Sequence, residues 1–167
     1  MPRERGFSLI ELLIVVAIVG IIAAIAVPGL LRARKARNEA SAIASMRAIS
    51  SSQQAYADKC HGYATVLTEL KAAGNFLSVD LTGAASVAKS GYTVVLVPGM
   101  GNTPLAAPPI GCTGTGTNYY ASATPLSVGS TGVRGFATDE PGTIWQDVSG
   151  AAPAQPFTSG GTVSVIQ

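Results

Sequence analysis

The chain begins with an apolar run that is long enough to cross a lipid bilayer. From Phe7 to Leu31 nearly every residue is apolar or small, and the only ionisable side chain in the run is that of Glu11. A helix needs about 20 such residues to span the hydrocarbon core of a membrane. An ionised carboxylate inside that core costs at least about 2.5 kcal/mol, so we expect Glu11 to have a partner or a function.

Two residues within the run weaken its helical pattern. Pro28 lacks the N–H group that would bond to the carbonyl of Ala24, so the helix is expected to weaken or kink there. Gly20 lowers helix stability by up to about 1 kcal/mol relative to Ala. Both residue types are also common in ordinary membrane helices, and the sequence leaves both interpretations open.

The start of the run carries a specific motif. A short charged leader ends at Gly6 and is followed by Phe-Ser-Leu-Ile-Glu-Leu-Leu, which resembles the processing motif of type IV pilins and of the pseudopilins of type II secretion. The resemblance extends to about Ala57. It implies a leader peptide of residues 1–6, cleavage after Gly6 by a membrane-embedded aspartyl peptidase, and methylation of the new amino terminus at Phe7 by the same enzyme. It also implies an extensible stretch between Gly20 and Pro28.

Cleavage after Gly6 would give Glu11 a natural partner. The new ammonium group on Phe7 lies four residues before Glu11, about one helical turn away. A carboxylate and an ammonium that are buried together offset part of each other's desolvation cost. The pair could form within one chain or between neighbours. The resemblance implies the second, in which the pair sets the register of subunits in a helical filament.

A second helical pattern follows the apolar run. Four basic residues come first, and then a stripe with alternating spacings of four and three, which predicts one buried helix face: Ala42, Met46, Ile49, Gln53 and Tyr56. Glu39 is predicted to fall outside that face. The sequence therefore predicts one helix with a membrane-spanning or filament-core part, 7–31, and an amphipathic part, 32–58.

The basic cluster of Arg32, Arg34, Lys35 and Arg37 has three interpretations. Contacts with lipid phosphates or with other filament subunits are favoured, and a solvated charged face comes second. DNA binding is the third, but no aromatic residues are interleaved with the cluster to stack on bases. The net charge of +2 does not indicate a nucleic-acid partner either.

The remaining residues, 59–167, predict a globular head. Gly62 is a plausible stop signal for the long helix, a short helix is predicted within Thr68–Leu77, and a loop is predicted from there to Lys89. Strands are predicted at Ser90–Val97, Tyr119–Thr124, Val133–Thr138 and Thr143–Asp147, with a turn at 139–142 and a last strand around Val163–Ile166. The predicted fold is α+β, a long N-terminal helix packed on an antiparallel sheet of about four strands. This is also the type IV pilin fold.

Few residues suggest a disulfide, a catalytic site or a metal site. Cys60 and Cys112 predict a disulfide if the head lies outside the cytoplasm, and two free buried thiols are the alternative. His61 is the only histidine, and the sequence predicts no enzyme, no cofactor and no metal site. Asp139 and Glu140 are assigned to a turn, because their surroundings lack the oxygen-ligand spacing of a calcium loop.

The resemblance implies a structural function. The expected protein is a subunit of a type IV pilus-like filament, single-pass in the inner membrane before assembly and extracellular afterwards. The implied partners are other copies of the chain, the peptidase and methyltransferase, an inner-membrane assembly platform with its ATPase, and membrane lipid. One alternative is the major pseudopilin of a type II secretion system. Another is a secreted soluble binding domain cleaved after Ala26, because Ala24-Ile25-Ala26 fits a signal-peptide site.

Overall fold

The computed structural model describes residues 6–166. The predicted leader therefore lies outside the described residues, apart from Gly6. The chain forms two compact units, one ending at Arg34 and the other beginning at Lys35. In chain order the elements are α1 (Leu9–Cys60), β1 (Tyr63–Ala64), α2 (Leu67–Ala72), α3 (Val79–Thr82), β2 (Ser86–Lys89), β3 (Tyr92–Pro98), β4 (Thr115–Gly116), β5 (Tyr119–Pro125), β6 (Gly135–Thr138), β7 (Trp145–Asp147) and β8 (Val163–Val165).

The long helix α1 is continuous. It runs through Gly20 and Pro28 without a break, so the weakening expected at Pro28 has not unwound the helix in this structure. The helix also extends beyond the predicted end, to Cys60. The next residue, His61, has a left-handed φ of 57°, and its N–H donates to the carbonyl of Ala57 at 2.9 Å. His61 therefore takes the left-handed position at the helix end, and Gly62, the predicted stop signal, follows it.

Gly62 is needed for a different reason. A Cβ atom at this position would lie 2.9 Å from the carbonyl oxygen of Gly116, on the strand that pairs with β1. The two short strands β1 and β4 form their own two-stranded sheet. The absence of a side chain at Gly62 therefore lets the backbone at Gly62 approach the backbone at Gly116 closely.

The main sheet confirms the predicted α+β fold and is larger than expected. Its six strands are antiparallel, in the order β2-β3-β5-β6-β7-β8, compared with about four predicted strands. The predicted strands near β3, β5, β6, β7 and β8 are all present. The predicted loop before Lys89 was wrong, because it contains α3 and β2. Strand β2 joins β3 through a two-residue turn at Ser90 and Gly91, whose φ angles of 48° and 76° fit a type I′ hairpin.

The predicted helix stripe forms the core of the head. All five of its residues are buried, and all except Gln53 belong to one core cluster with alternate residues of β3 and β5, among them Tyr92, Val94, Tyr119 and Ala121. The amide of Gln53 lies in this core and is satisfied at both ends. Its Nε2 donates to the carbonyl of Ala64 at 2.8 Å, and its Oε1 accepts from the N–H of Ala64 at 2.9 Å.

Glu39 corrects the sequence prediction. It is only 8% exposed, and it lies three residues before Ala42, so it continues the buried stripe. Its Oε2 accepts from Nε and Nη2 of Arg134 at 2.9 and 2.7 Å. Its Oε1 accepts from the backbone N–H of Val133 at 2.9 Å. Two guanidinium N–H groups thus share one carboxylate oxygen, and the backbone binds the other; charge-assisted bonds of this kind are about twice as strong as neutral ones.

The network continues across the sheet. Nη1 of Arg134 donates to Oε1 of Gln146 on β7 at 2.7 Å, and Nε2 of Gln146 donates to Oγ of Ser164 on β8 at 3.1 Å. Residues Gln146 and Ser164 are also direct partners in the sheet register. One polar chain therefore joins α1 to β7 and β8 through Arg134, the residue before β6.

The predicted disulfide is confirmed. Cys60, the last residue of α1, is bonded to Cys112 in the loop before β4, 52 residues later. In the chain-entropy model, closing a loop of this size stabilises the folded state by roughly 4 kcal/mol.

Replacing Arg134 with Ala is expected to lower the free energy of unfolding by about 2 kcal/mol, because the Glu39 carboxylate then stays buried without its charge partner. The cost is below that of a fully buried pair because 36% of the Arg134 side chain is exposed. Urea unfolding of the full chain in detergent, followed by fluorescence of the single Trp145, measures the change. Lys89→Ala is the matched control, since it breaks the exposed pair with Asp80 and should cost less than about 1 kcal/mol. Equal losses of unfolding free energy in Arg134→Ala and Lys89→Ala would contradict the stabilising role of the Glu39–Arg134 pair.

The Glu39 pair also predicts a pH dependence. Burial opposes ionisation of Glu39, but the hydrogen bonds from Val133 and Arg134 and the charge of Arg134 outweigh it, so its pKa lies below the ordinary value of 4.5. The resulting stabilisation is present above the ordinary pKa and is lost as the pH falls through the folded-state pKa. The stability difference between the parent and Glu39→Gln should therefore be constant from about pH 7 to about pH 5.5 and shrink below about pH 4. A constant difference down to about pH 2 would refute this role.

Candidate functional site

The N-terminal end of α1 begins directly after Ser8. The carbonyl of Ser8 accepts from the N–H groups of Glu11 and Leu12 at 3.1 and 3.3 Å. Ser8 is thus the N-cap residue and Glu11 is the third helical residue, the spacing of a capping box. A carboxylate in the first turn is also favoured by the helix dipole. The Ser-x-x-Glu pattern before an apolar run is the sequence signal that indicates this helix start.

The apolar run is exposed along its whole length. Every residue from 6 to 34 is exposed, and Glu11 is among them. Sixteen large apolar side chains in this run are between 50% and 81% exposed: Phe7, Leu9, Ile10, Leu12, Leu13, Ile14, Val15, Val16, Ile18, Val19, Ile21, Ile22, Ile25, Val27, Leu30 and Leu31. By length and composition α1 could cross a membrane, a property that it shares with signal sequences. Contiguous apolar surface on this scale marks a membrane or protein interface.

The predicted site residues occupy two places. Gly6 and Phe7 lie just before the helix start, Glu11 lies in the first turn, and Gly20 and Pro28 lie further along the same helix. Only Cys60 and Cys112 are brought together from distant parts of the sequence. Residues 6–166 contain no group of three or more His, Cys, Asp or Glu side chains that could hold a metal ion.

The head has a groove that was not among the features predicted from the sequence. It has a volume of about 370 Å³ and is lined by Met100, Asn118, Asp139, Glu140, Pro141, Thr143, Trp145, Gln155, Pro156 and Phe157. The predicted turn at 139–142 is confirmed, with the N–H of Gly142 bonded to the carbonyl of Asp139 at 2.8 Å. This turn forms one wall of the groove. The other wall comes from segments around residues 100, 118 and 156, and no local pattern could have indicated that they meet here.

The groove combines two carboxylates with aromatic rings. Nε2 of Gln155 donates to Oδ2 of Asp139 at 3.2 Å. Burial raises the pKa of Asp139, and burial together with the nearby Asp139 charge raises the pKa of Glu140. The rings of Trp145 and Phe157 lie 5.5 Å apart at an angle of 30°. Such a surface suits a cation, which would pair with the carboxylates and contact the ring faces.

Comparisons with known proteins give the same picture for the N-terminal part. Residues 1–27 match the family model described as the prokaryotic N-terminal methylation motif. The chain is 38% identical over 69 residues to the type IV major pilin protein PilA of Myxococcus xanthus, covering 41% of this chain and 31% of that protein. It is 56% identical over 39 residues to the type IV wide pilus major component PilA4 of Thermus thermophilus, covering 23% of this chain and 30% of that protein.

These similarities are confined to part of each protein. The matched region spans about a third of the length of the curated relatives. No solved structure matches the chain with significance.

The fold and the motif together define the class of protein. A long N-terminal helix that begins with a methylation motif and packs its second half on an antiparallel sheet is a type IV pilin-like arrangement. Part of the chain is therefore similar to type IV pilins, and its fold resembles theirs.

Proposed function

We propose that the chain is the precursor of a structural subunit of a type IV pilus-like extracellular filament. The observation that carries the proposal is the exposed apolar surface of α1, which begins at a methylation motif and continues into the helix of a folded head. Burying a large apolar side chain gains about 1.5 to 3 kcal/mol. A surface made of sixteen such side chains requires a bilayer or other copies of the same helix.

Processing is the first proposed step. Gly6 is exposed, and no heavy atom outside its neighbours lies within 4 Å of the position that its Cβ would take. A peptidase could therefore reach the bond between Gly6 and Phe7. Cleavage would remove residues 1–6 and leave an ammonium group on Phe7, which the same enzyme would methylate.

Assembly is the second proposed step. Glu11 and Phe7 are both exposed and lie about one helical turn apart, so both can meet groups of another chain. Pairing of Glu11 with the Phe7 ammonium of a neighbour would neutralise two charges as the helices leave the membrane. Because each charge has one partner, the pair would also fix the register between subunits.

The proposed cellular route follows the family. Before assembly α1 holds the chain in the inner membrane, and Arg32, Arg34, Lys35 and Arg37 can contact lipid phosphates. An inner-membrane platform and its ATPase then move subunits into the filament. The stretch from Gly20 to Pro28 is proposed to extend during this change. Both relatives are named as major components of type IV pili, which favours a pilus over a type II secretion pseudopilus.

Mass spectrometry of the mature amino terminus tests the processing step. Material sheared from the cell surface should yield a peptide that begins at Phe7 and is heavier by one methyl group. Gly6→Leu should leave the leader attached, because a bulky side chain blocks the cleavage site. Gly29→Ala is the matched control, a glycine on the exposed helix with no neighbour near its Cβ position, and it should be processed normally. A mature terminus at Val27 would instead show cleavage of a secretory signal.

Glu11→Gln separates charge pairing from helix capping. Gln at this position keeps the capping-box chemistry but cannot form an ion pair. The variant should insert into the membrane and be processed, while the yield of sheared filaments falls at least about tenfold, the effect of losing about 1.4 kcal/mol per contact. Ser8→Ala removes the cap side chain and keeps the charge, so it should still assemble. Normal filament yield from Glu11→Gln would contradict the proposed pair.

A further inference from the structure

Within one copy, some charged side chains of the second unit have an ion-pair partner and others do not. Among the described residues the ion pairs are Glu39 with Arg134 and Asp80 with Lys89. Lys59 donates to the carbonyl of Ala73. Near the start of the second unit, Lys35 is partly exposed and Arg37 is exposed, and neither has an ion pair within residues 6–166.

The groove holds the complementary charge. Asp139 and Glu140 are half-buried, and no cationic group of the described residues lies within ion-pair distance of either. Two half-buried carboxylates in one groove repel each other, and an incoming cation offsets that cost. Trp145 and Phe157 add aromatic faces, which favour a guanidinium in particular. The groove is therefore shaped and charged for an arginine or lysine side chain.

We propose that the groove binds Lys35 and Arg37 of a second copy of the chain. This inference rests on the proposed filament and identifies one of its contacts between heads. Each copy carries both surfaces, the basic residues Lys35 and Arg37 on α1 and the acidic groove on the head. The two surfaces are different, so the contact is heterologous and can repeat along an open helical filament without closing on itself.

The geometry excludes pairing within one copy. The turn at 139–142 lies beside Ser50 of α1, since a Cβ on Gly142 would be 2.9 Å from Oγ of Ser50. Lys35 and Arg37 lie 13 to 15 residues earlier on α1, about 20 Å along the helix axis. That separation is beyond the reach of an arginine side chain. A parallel second copy displaced by about 20 Å along the axis brings its basic pair level with the groove.

Cysteine cross-linking within filaments tests the contact. A strain that produces Arg37→Cys together with Glu140→Cys should give a ladder of covalent oligomers on non-reducing gels of sheared filaments. Arg37→Cys with Asp58→Cys is the matched control, because Asp58 is an exposed acidic residue on α1 outside the groove. Neither this control nor the single variants should give a ladder. The native cysteines are bonded to each other as Cys60–Cys112, and this disulfide is present in all variants.

A charge swap supplies a second measurement. Arg37→Glu and Glu140→Arg should each lower filament yield by about tenfold or more, because like charges then face each other across the contact. The double variant should restore the yield to within about threefold of the parent. If Arg37→Glu blocks assembly and the swap does not rescue it, Arg37 acts elsewhere, for example on lipid phosphates, and the proposal is wrong.

The experiments distinguish failure of the groove contact from failure of the proposed filament function. Parent filaments with no ladder in the paired-cysteine strain would overturn the groove contact and leave the filament function standing. Absence of surface filaments from the parent strain would instead remove the filament function. A ladder confined to the paired-cysteine strain, together with rescue by the swap, would support both.

Discussion

Sixteen large apolar side chains between Phe7 and Leu31 are half or more exposed, and burial of each gains about 1.5 to 3 kcal/mol. Water is therefore a poor environment for this part of the chain, and it needs a bilayer or other protein around it. A bilayer and a bundle of identical helices are both apolar, so moving between them costs little for the apolar side chains. The difference in free energy between the two environments therefore comes mainly from the charged groups at the start of the run. Glu11 is for this reason the residue most sensitive to where the helix lies.

The head is fastened to α1 by contacts of three kinds. The buried stripe from Ala42 to Tyr56 provides apolar packing. The Glu39–Arg134 pair adds a polar network that continues through Gln146 to Ser164, and the Cys60–Cys112 bond closes the end of the helix. All of these contacts lie within the second unit. The head can therefore keep its fold whatever surrounds the first unit, including the proposed change from lipid to protein.

Sequence reasoning found the features that depend on local patterns. The helix, the strands near β3 and β5, the β6–β7 hairpin and the processing motif all follow from spacing or from short motifs. Strand β2 was missed because Ser90-Gly91 is a weaker turn signal than Asn-Gly or Asp-Gly. Glu39 falls outside the predicted face because charged side chains are mostly exposed, yet its spacing continues the buried stripe and its partner lies 95 residues later. The groove could not be predicted, since its walls come from segments that only the folded sheet brings together.

The attachments of α1 to the head are distributed along the helix. From Asn38, which donates to the carbonyl of Thr131, they continue through Ser52 and Tyr56 to the covalent bond at Cys60. A pull along the helix axis would load these contacts together, in shear, rather than peel them apart one by one. The last of them is covalent, so tension that unfolds the sheet cannot extend the segment between Cys60 and Cys112. Under tension, the disulfide therefore limits how much of the unfolded head can lengthen.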